Sequence, residues 1–156
     1  MIRLCRVDHR LLHGQVAFSW TNAVGADCIL VASDMVVHDE VWKTTLKLGK
    51  PAGVKLVIKN IEDSINAINS GVTDKYKLLI VVQTIQDANR LSKACPMITS
   101  INLGGAKKKP GYRQLSTAVY IGEEETAALN EMISRGLEVE IRQLAADSKV
   151  LAKSVL

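Results

Sequence analysis

Eight consecutive residues, Asp8-His9-Arg10-Leu11-Leu12-His13-Gly14-Gln15, gather an acid, two imidazoles and a guanidinium in one short segment. Three chemistries fit these residue types. The first is capture of a phosphoryl group on His13, because a neutral imidazole is a competent nucleophile near neutral pH. Arg10 then offers a planar donor fork suited to the phosphoryl oxygens. The second is metal binding by Asp8, His9 and His13; the i,i+4 spacing of the histidines fits one helix face, but the segment precedes the helix and no further ligand set accompanies it. The third is passive binding of a nucleotide phosphate, which the lack of either glycine-rich phosphate-binding pattern weakens. Against all three stands a plain structural reading, in which His13 and Arg10 cap a helix and pair with Asp8.

These side chains can act together only if secondary structure brings them to one place. Ile2–Val7 reads as a strand and Gln15–Val24 as a helix, so the segment is a strand-to-helix turn. There the N–H groups of His13, Gly14 and Gln15 would point toward an anion, and Gly14 lets the backbone approach it closely. Cys28–Ala32, Val54–Ile58 and Tyr76–Val82 are continuous apolar, β-branched runs, suited to parallel strands covered on both faces. Helical patterns cover His38–Leu48, Ile61–Asn69 with Asn60 as N-cap, Asp87–Ala94, and Glu123–Arg135 with its acidic first turn. Leu137–Ile141 alternates as a half-exposed strand near an edge should, and Ser148–Val155 reads as a last short helix. Leu103–Tyr112, with its glycines, Pro110 and three lysines, reads as a surface loop.

Strand–helix alternation at this spacing implies right-handed βαβ units. The expected fold is a single α/β domain over residues 1–156. It has three α/β/α layers and a mostly parallel central sheet in which an edge strand can run antiparallel. In such sheets ligands bind beyond the carboxyl ends of the strands, where the Asp8–Gln15 turn lies.

Composition narrows the partners. The chain has 156 residues, 47% of them hydrophobic and 23% charged, which suits one globular domain rather than a disordered chain. Twenty basic residues against sixteen acidic ones give a net charge of +4, too small an excess to indicate nucleic acid. The six aromatic residues do not interleave with a basic stripe, which argues further against it. The longest apolar run, such as Leu78–Val82, is five residues, far short of the ~20 that span a bilayer. Met1–Arg6 places a second charge where a secretion signal needs an apolar stretch, and three scattered cysteines suit a reducing compartment. A cytoplasmic location is expected, with Cys5 and Cys28 as core residues.

The segment Arg6-Val7-Asp8-His9-Arg10-Leu11-Leu12-His13-Gly14-Gln15-Val16, with Trp20 shortly after, closely resembles the signature of one phosphotransferase family. This is the enzyme IIB subunit of the mannose–fructose–sorbose class of sugar phosphotransferase systems. The likeness extends to Val31-Ala32-Ser33-Asp34, to Ile101-Asn102-Leu103-Gly104-Gly105 and to Ile141-Arg142-Gln143-Leu144. The length suits a free-standing IIB subunit without a fused IIA domain. Histidine phosphatases and phosphoglycerate mutases carry Arg-His-Gly after their first strand, but here Leu12 precedes His13 and that reading is discounted.

The resemblance implies a cytoplasmic phosphocarrier with a mostly parallel sheet flanked by helices. It takes a phosphoryl group from a phosphohistidine of the IIA partner and passes it to a sugar, usually at the 6-hydroxyl, on the membrane IIC and IID subunits. His13 matches the phosphorylated histidine, which uses Nδ1. Arg10 matches the arginine that contacts the phosphoryl group, and Asp8 the acid that steadies that arginine. Gly14 and Gln15 match the start of the helix whose N–H groups face the phosphate. His9 departs from the acid frequently found there and adds a group that can become positive. The reading requires neither metal nor cofactor, and it names no sugar. The runner-up is a nucleotide- or anion-sensing module of the same shape.

Other residues invite plainer readings. Trp20, at helical spacing from His13, belongs in the core, as by default does Trp42, with a partner contact as its alternative. His38, beside Asp39 and Glu40, reads as a surface residue. Asp34 reads as a loop or helix cap or as part of the site rim. Lys107, Lys108 and Lys109 with Arg113 form the strongest charge concentration: either a solvated loop or a surface that docks an acidic face of IIA.

Overall fold

The computed structural model describes all residues 1–156. Nine strands and five helices follow one another along the chain. Strand β1 (Ile2–Asp8) leads to α1 (Gly14–Val24), and β2 (Cys28–Ala32) to α2 (Glu40–Gly49). Next come β3 (Lys55–Lys59), α3 (Ile61–Asn69), β4 (Leu78–Val82), α4 (Ile85–Ala94) and β5 (Ser100–Gly105). A hairpin of β6 (Arg113–Ser116) and β7 (Val119–Ile121) precedes α5 (Glu123–Ser134), β8 (Glu138–Ile141) and β9 (Val150–Leu151).

Seven strands form one sheet in the order β3-β2-β4-β1-β5-β8-β9, parallel throughout except for the final β8–β9 pair. Side chains alternate across it. Leu78, Ile80 and Val82 of β4 join the cluster that packs α3, α4 and α5, while Leu79 and Val81 join the cluster holding Trp20 and Leu46 of α1 and α2. These are the three expected layers. No helix is long and apolar enough to cross a membrane. All three cysteines are buried, and burial pushes the Cys5 thiol up to about 12, so it stays protonated.

The topology dictates where a ligand can enter. After β1 the chain runs through α1 toward β2 on one side; after β5 it runs through α5 toward β8 on the other. Adjacent strands whose connections diverge leave a crevice at their carboxyl ends, here between Asp8 and Gly105.

Several sequence-based boundaries need correction. β3 lies at the sheet edge and is only partly covered, not buried on both faces. The reading of Leu103–Tyr112 as loop took in the end of β5 and missed the hairpin beyond it, because Gly104 and Gly105 read as turn residues. Helix α2 begins at Glu40 rather than His38: Asp39 caps it by accepting the Trp42 N–H at 2.9 Å, and exposed His38 ends a short 3₁₀ turn. Asp34 is the loop cap foreseen for it, accepting the Ile61 N–H at 2.9 Å and pairing with Arg90 at 3.1 Å.

The largest corrections are at the C-terminus. Val150–Leu151 is strand β9, antiparallel to β8, and only a 3₁₀ turn at Ala152–Ser154 follows where a helix was expected. Eight residues make a marginal helix, and pairing with an open sheet edge satisfies the backbone instead. β8 lies near the edge, as expected, with β9 outermost. Glu140, read as solvent-facing from its alternation, is 5% exposed. Arg142 repays its burial by gripping both carboxylate oxygens, at 2.9 and 3.0 Å. Glu140→Ala leaves that cation without its anion, and with Arg142 partly in water the expected loss is about 2–3 kcal/mol, read as a lower urea midpoint.

Candidate functional site

Beyond β1 the chain folds back on itself, with the Leu11 N–H donating to the Asp8 carbonyl at 2.9 Å. Leu11 has φ +59°, the one non-glycine residue of the chain in the left-handed region, at a cost of about 1–2 kcal/mol. Burial of Leu11 and Leu12 in the α1–α2 cluster offsets this strain and pins the loop from below. Its far end is His13, the extended residue before α1, and Gly14 follows at φ +49°. His13 does not cap the helix with its side chain, contrary to the plain structural reading. The first-turn N–H groups of α1, Gly14 and Gln15 among them, thus keep their capacity for an anion.

Asp8 is the hub of the site and is 2% exposed. Its Oδ1 accepts the backbone N–H of Arg10 at 2.9 Å. Its Oδ2 accepts from Arg6 Nη2 at 3.1 Å and meets His13 Nε2 at 2.8 Å. A carboxylate only accepts, so Nε2 carries a proton, and in the neutral ring the lone pair then falls to Nδ1. The resemblance gave Asp8 the task of steadying Arg10. Here Asp8 accepts the Arg10 backbone N–H, while the exposed Arg10 side chain lines the cleft without an ion pair to Asp8.

Beneath Asp8 lies a residue that sequence reasoning passed over. Arg6 is 2% exposed and donates from Nη1 to Asn102 Oδ1 at 2.7 Å and to the Arg142 carbonyl at 3.2 Å. Burial draws it below the ordinary arginine range, while Asp8 and Glu140 hold it up. Its guanidinium stands 5.3 Å from the Trp20 ring, which Arg142 also approaches at 4.8 Å. Trp20 is buried as expected, and its indole N–H donates to the Gln143 carbonyl at 2.9 Å. Gly104 makes room for all this, since a Cβ there would fall 2.1–2.2 Å from the Arg6 guanidinium. A basic residue amid the apolar run of β1 was the signal available in the sequence, because a buried charge must have partners.

Together these elements wall a cleft of about 300 Å³ lined by Asp8, His9, Arg10, His13, Gly104, Gly105, Lys107, Lys108, Tyr120 and Gln143. His9 packs its Nδ1 beside Gly105 without a hydrogen-bond partner. No three His, Cys, Asp or Glu side chains converge as a metal site would require. The basic cluster divides. Lys107 and Lys108 reach the cleft, Lys109 lines an adjoining one of about 730 Å³ with half-buried Trp42 and Tyr112, and Arg113 lies apart near Glu123. Tyr120 and Gln143 had not been assigned to the site from sequence; only the fold brings them there.

Known proteins share this arrangement of chain. A profile of the family described as PTS system sorbose subfamily IIB component matches residues 2–156. The chain is 33% identical over 150 residues to the PTS system mannose-specific EIIAB component of Escherichia coli K12, covering 96% of this chain but 46% of that protein, so it spans about half the length of that relative. It is also 33% identical to a probable phosphotransferase enzyme IIB component of Streptococcus pyogenes, with 96% of each chain covered. The crystal structure of the IIBSor domain of the Klebsiella pneumoniae sorbose permease superposes with a TM-score of 0.91 at 28% identity, covering 96% of this chain and 92% of that one. On a match that runs nearly from end to end, the chain belongs to the sorbose-subfamily family of PTS IIB components.

Proposed function

We propose that this chain is a phosphocarrier that receives a phosphoryl group on His13 Nδ1 from a phosphohistidine of IIA and delivers it to a sugar hydroxyl at the membrane IIC and IID subunits. The observation that carries this reading is the 2.8 Å contact of His13 Nε2 with Asp8, which in the neutral ring leaves the lone pair on Nδ1. Family membership supports it. The protein works in the cytoplasm and associates with the membrane through its partners.

In the first step Nδ1 bonds to phosphorus as the donor's P–N bond breaks; in the second, the sugar oxygen bonds to phosphorus, Nδ1 takes back the P–N electron pair, and the hydroxyl proton passes to solvent. Phosphoryl transfer of this kind depends on in-line placement and charge stabilisation more than on covalent help. Arg10 and the N–H groups of Gly14 and Gln15 hold the phosphoryl oxygens, and Lys107 and Lys108 add positive potential across the cleft. The cradle is modest, as a group meant to be passed on requires. Attack needs an unprotonated Nδ1, so acidification slows uptake.

Incubation with the general phosphotransferase proteins, a mannose-class IIA and phosphoenolpyruvate adds one acid-labile, alkali-stable phosphate, read by intact-protein mass spectrometry. His13→Ala abolishes the gain; phosphate retained on that variant overturns the assignment. Arg10→Ala, exposed and outside the core, keeps the fold and slows transfer by about 10²-fold in rapid-quench assays. Reversing Lys107, Lys108 and Lys109 to Glu lowers the association rate with IIA by about tenfold at low ionic strength and less at high salt; equal rates at low salt would remove the docking role.

A further inference from the structure

We infer that Arg6 is a positioning residue for this reaction: its buried guanidinium offsets the charge of Asp8, so that His13 rests as a neutral imidazole protonated on Nε2 rather than as an imidazolium. The inference rests on the reading of His13 as the phosphoryl acceptor. A sheltered carboxylate 2.8 Å from an imidazole nitrogen would by itself favour the doubly protonated ring, whose Nδ1 has no lone pair for phosphorus. Arg6 shares the same oxygen, Oδ2, at 3.1 Å. One negative charge already has a permanent cation on it, so a second cation at His13 gains little.

The surroundings leave this role to Arg6. From the loop after β1, His9 and Arg10 face the cleft, and from beyond β5 so do Lys107 and Lys108. The arginine and both lysines are exposed, where water and salt screen them. Tyr120 and Gln143 contribute no full charge, and the N-terminus of α1 adds a partial positive one. Glu140, the other anion that acts on Arg6, is gripped by Arg142. Arg6 alone combines burial with direct contact to the atom that His13 touches.

Its placement is also fixed. Asn102, the Arg142 carbonyl and Asp8 take its terminal nitrogens, the Trp20 ring lies alongside, and Gly104 leaves no slack. During transfer the Nε2 proton stays in place: the P–N bond forms and later breaks at Nδ1, and the Nε2–H···Asp8 bond persists throughout. The carrier cycles without exchanging a proton at that nitrogen.

The test is an NMR titration of the His13 ring in the unphosphorylated protein, with no donor present. Arg6→Gln removes the charge, but a buried ion pair opened in this way can cost the fold. Asn102→Asp is therefore the second variant: nearly the same shape, it divides the Arg6 charge between two carboxylates. Heteronuclear spectra confirm that each protein is folded. The expected result is a titration midpoint raised by about one pH unit in Asn102→Asp, a tenfold larger imidazolium ratio at fixed pH, and by more in Arg6→Gln. Arg6→Lys, which keeps the charge, returns the midpoint most of the way to that of the unaltered protein, and the pH profile of phosphoryl uptake moves in parallel. An unmoved midpoint in folded Asn102→Asp overturns the inference. A moved midpoint in a chain that accepts no phosphoryl group would sink the carrier reading while leaving the charge compensation by Arg6 standing.

Discussion

The Asp8 carboxylate is the constraint on which the site turns. It is nearly sealed from water, so its charge must be met by protein, and it is met by a guanidinium from its own strand, an imidazole from the loop above and a backbone amide between them. Each contact fixes a different part of the site. The guanidinium ties Asp8 to the sheet, the amide sets the start of the loop, and the imidazole contact fixes which ring nitrogen faces Asp8. Removing the charge would leave a buried cation and a freely tautomerising histidine, which is a larger disturbance than the loss of one ion pair.

Around that hub the fold supplies rigidity from several directions at once. β1 is the central strand, flanked by β4 and β5, so the residues that open the loop are held by the best-buried part of the sheet. Leu11 and Leu12 anchor the loop in the core, and the 142–143 segment is tied in through Trp20 and Arg6. For a carrier of the kind proposed, met in turn by a donor and an acceptor, such rigidity means that the site need not reshape on binding either one.

Much of this was legible in the sequence. Short apolar runs and capping residues placed β1, β2, β4 and most helices within a few residues, because burial and local hydrogen bonding act over short distances along the chain. The segment Asp8–Gln15 announced its position at a strand-to-helix turn for the same reason. What was not legible depends on distant pairing. Glu140 reads as solvent-facing until Arg142 folds back on it, Gly104 as a turn residue until Arg6 fills the space beside it, and Val150–Leu151 as helix until an open strand edge is available. Tyr120 and Gln143 reach the cleft from elements that only the tertiary fold brings near.

The two ends of the sheet bear on how the protein behaves at high concentration. An unprotected edge strand is a template for pairing with another chain, and a parallel sheet with a free border could in principle grow into filaments. One border is closed by a strand only two residues long, too short to recruit a neighbour. The other, β3, begins and ends in lysine, so any copy approaching edge to edge brings Lys55 and Lys59 against like charge. The fold thus keeps its strands for internal use, and neither border of the sheet offers a template for adding further copies.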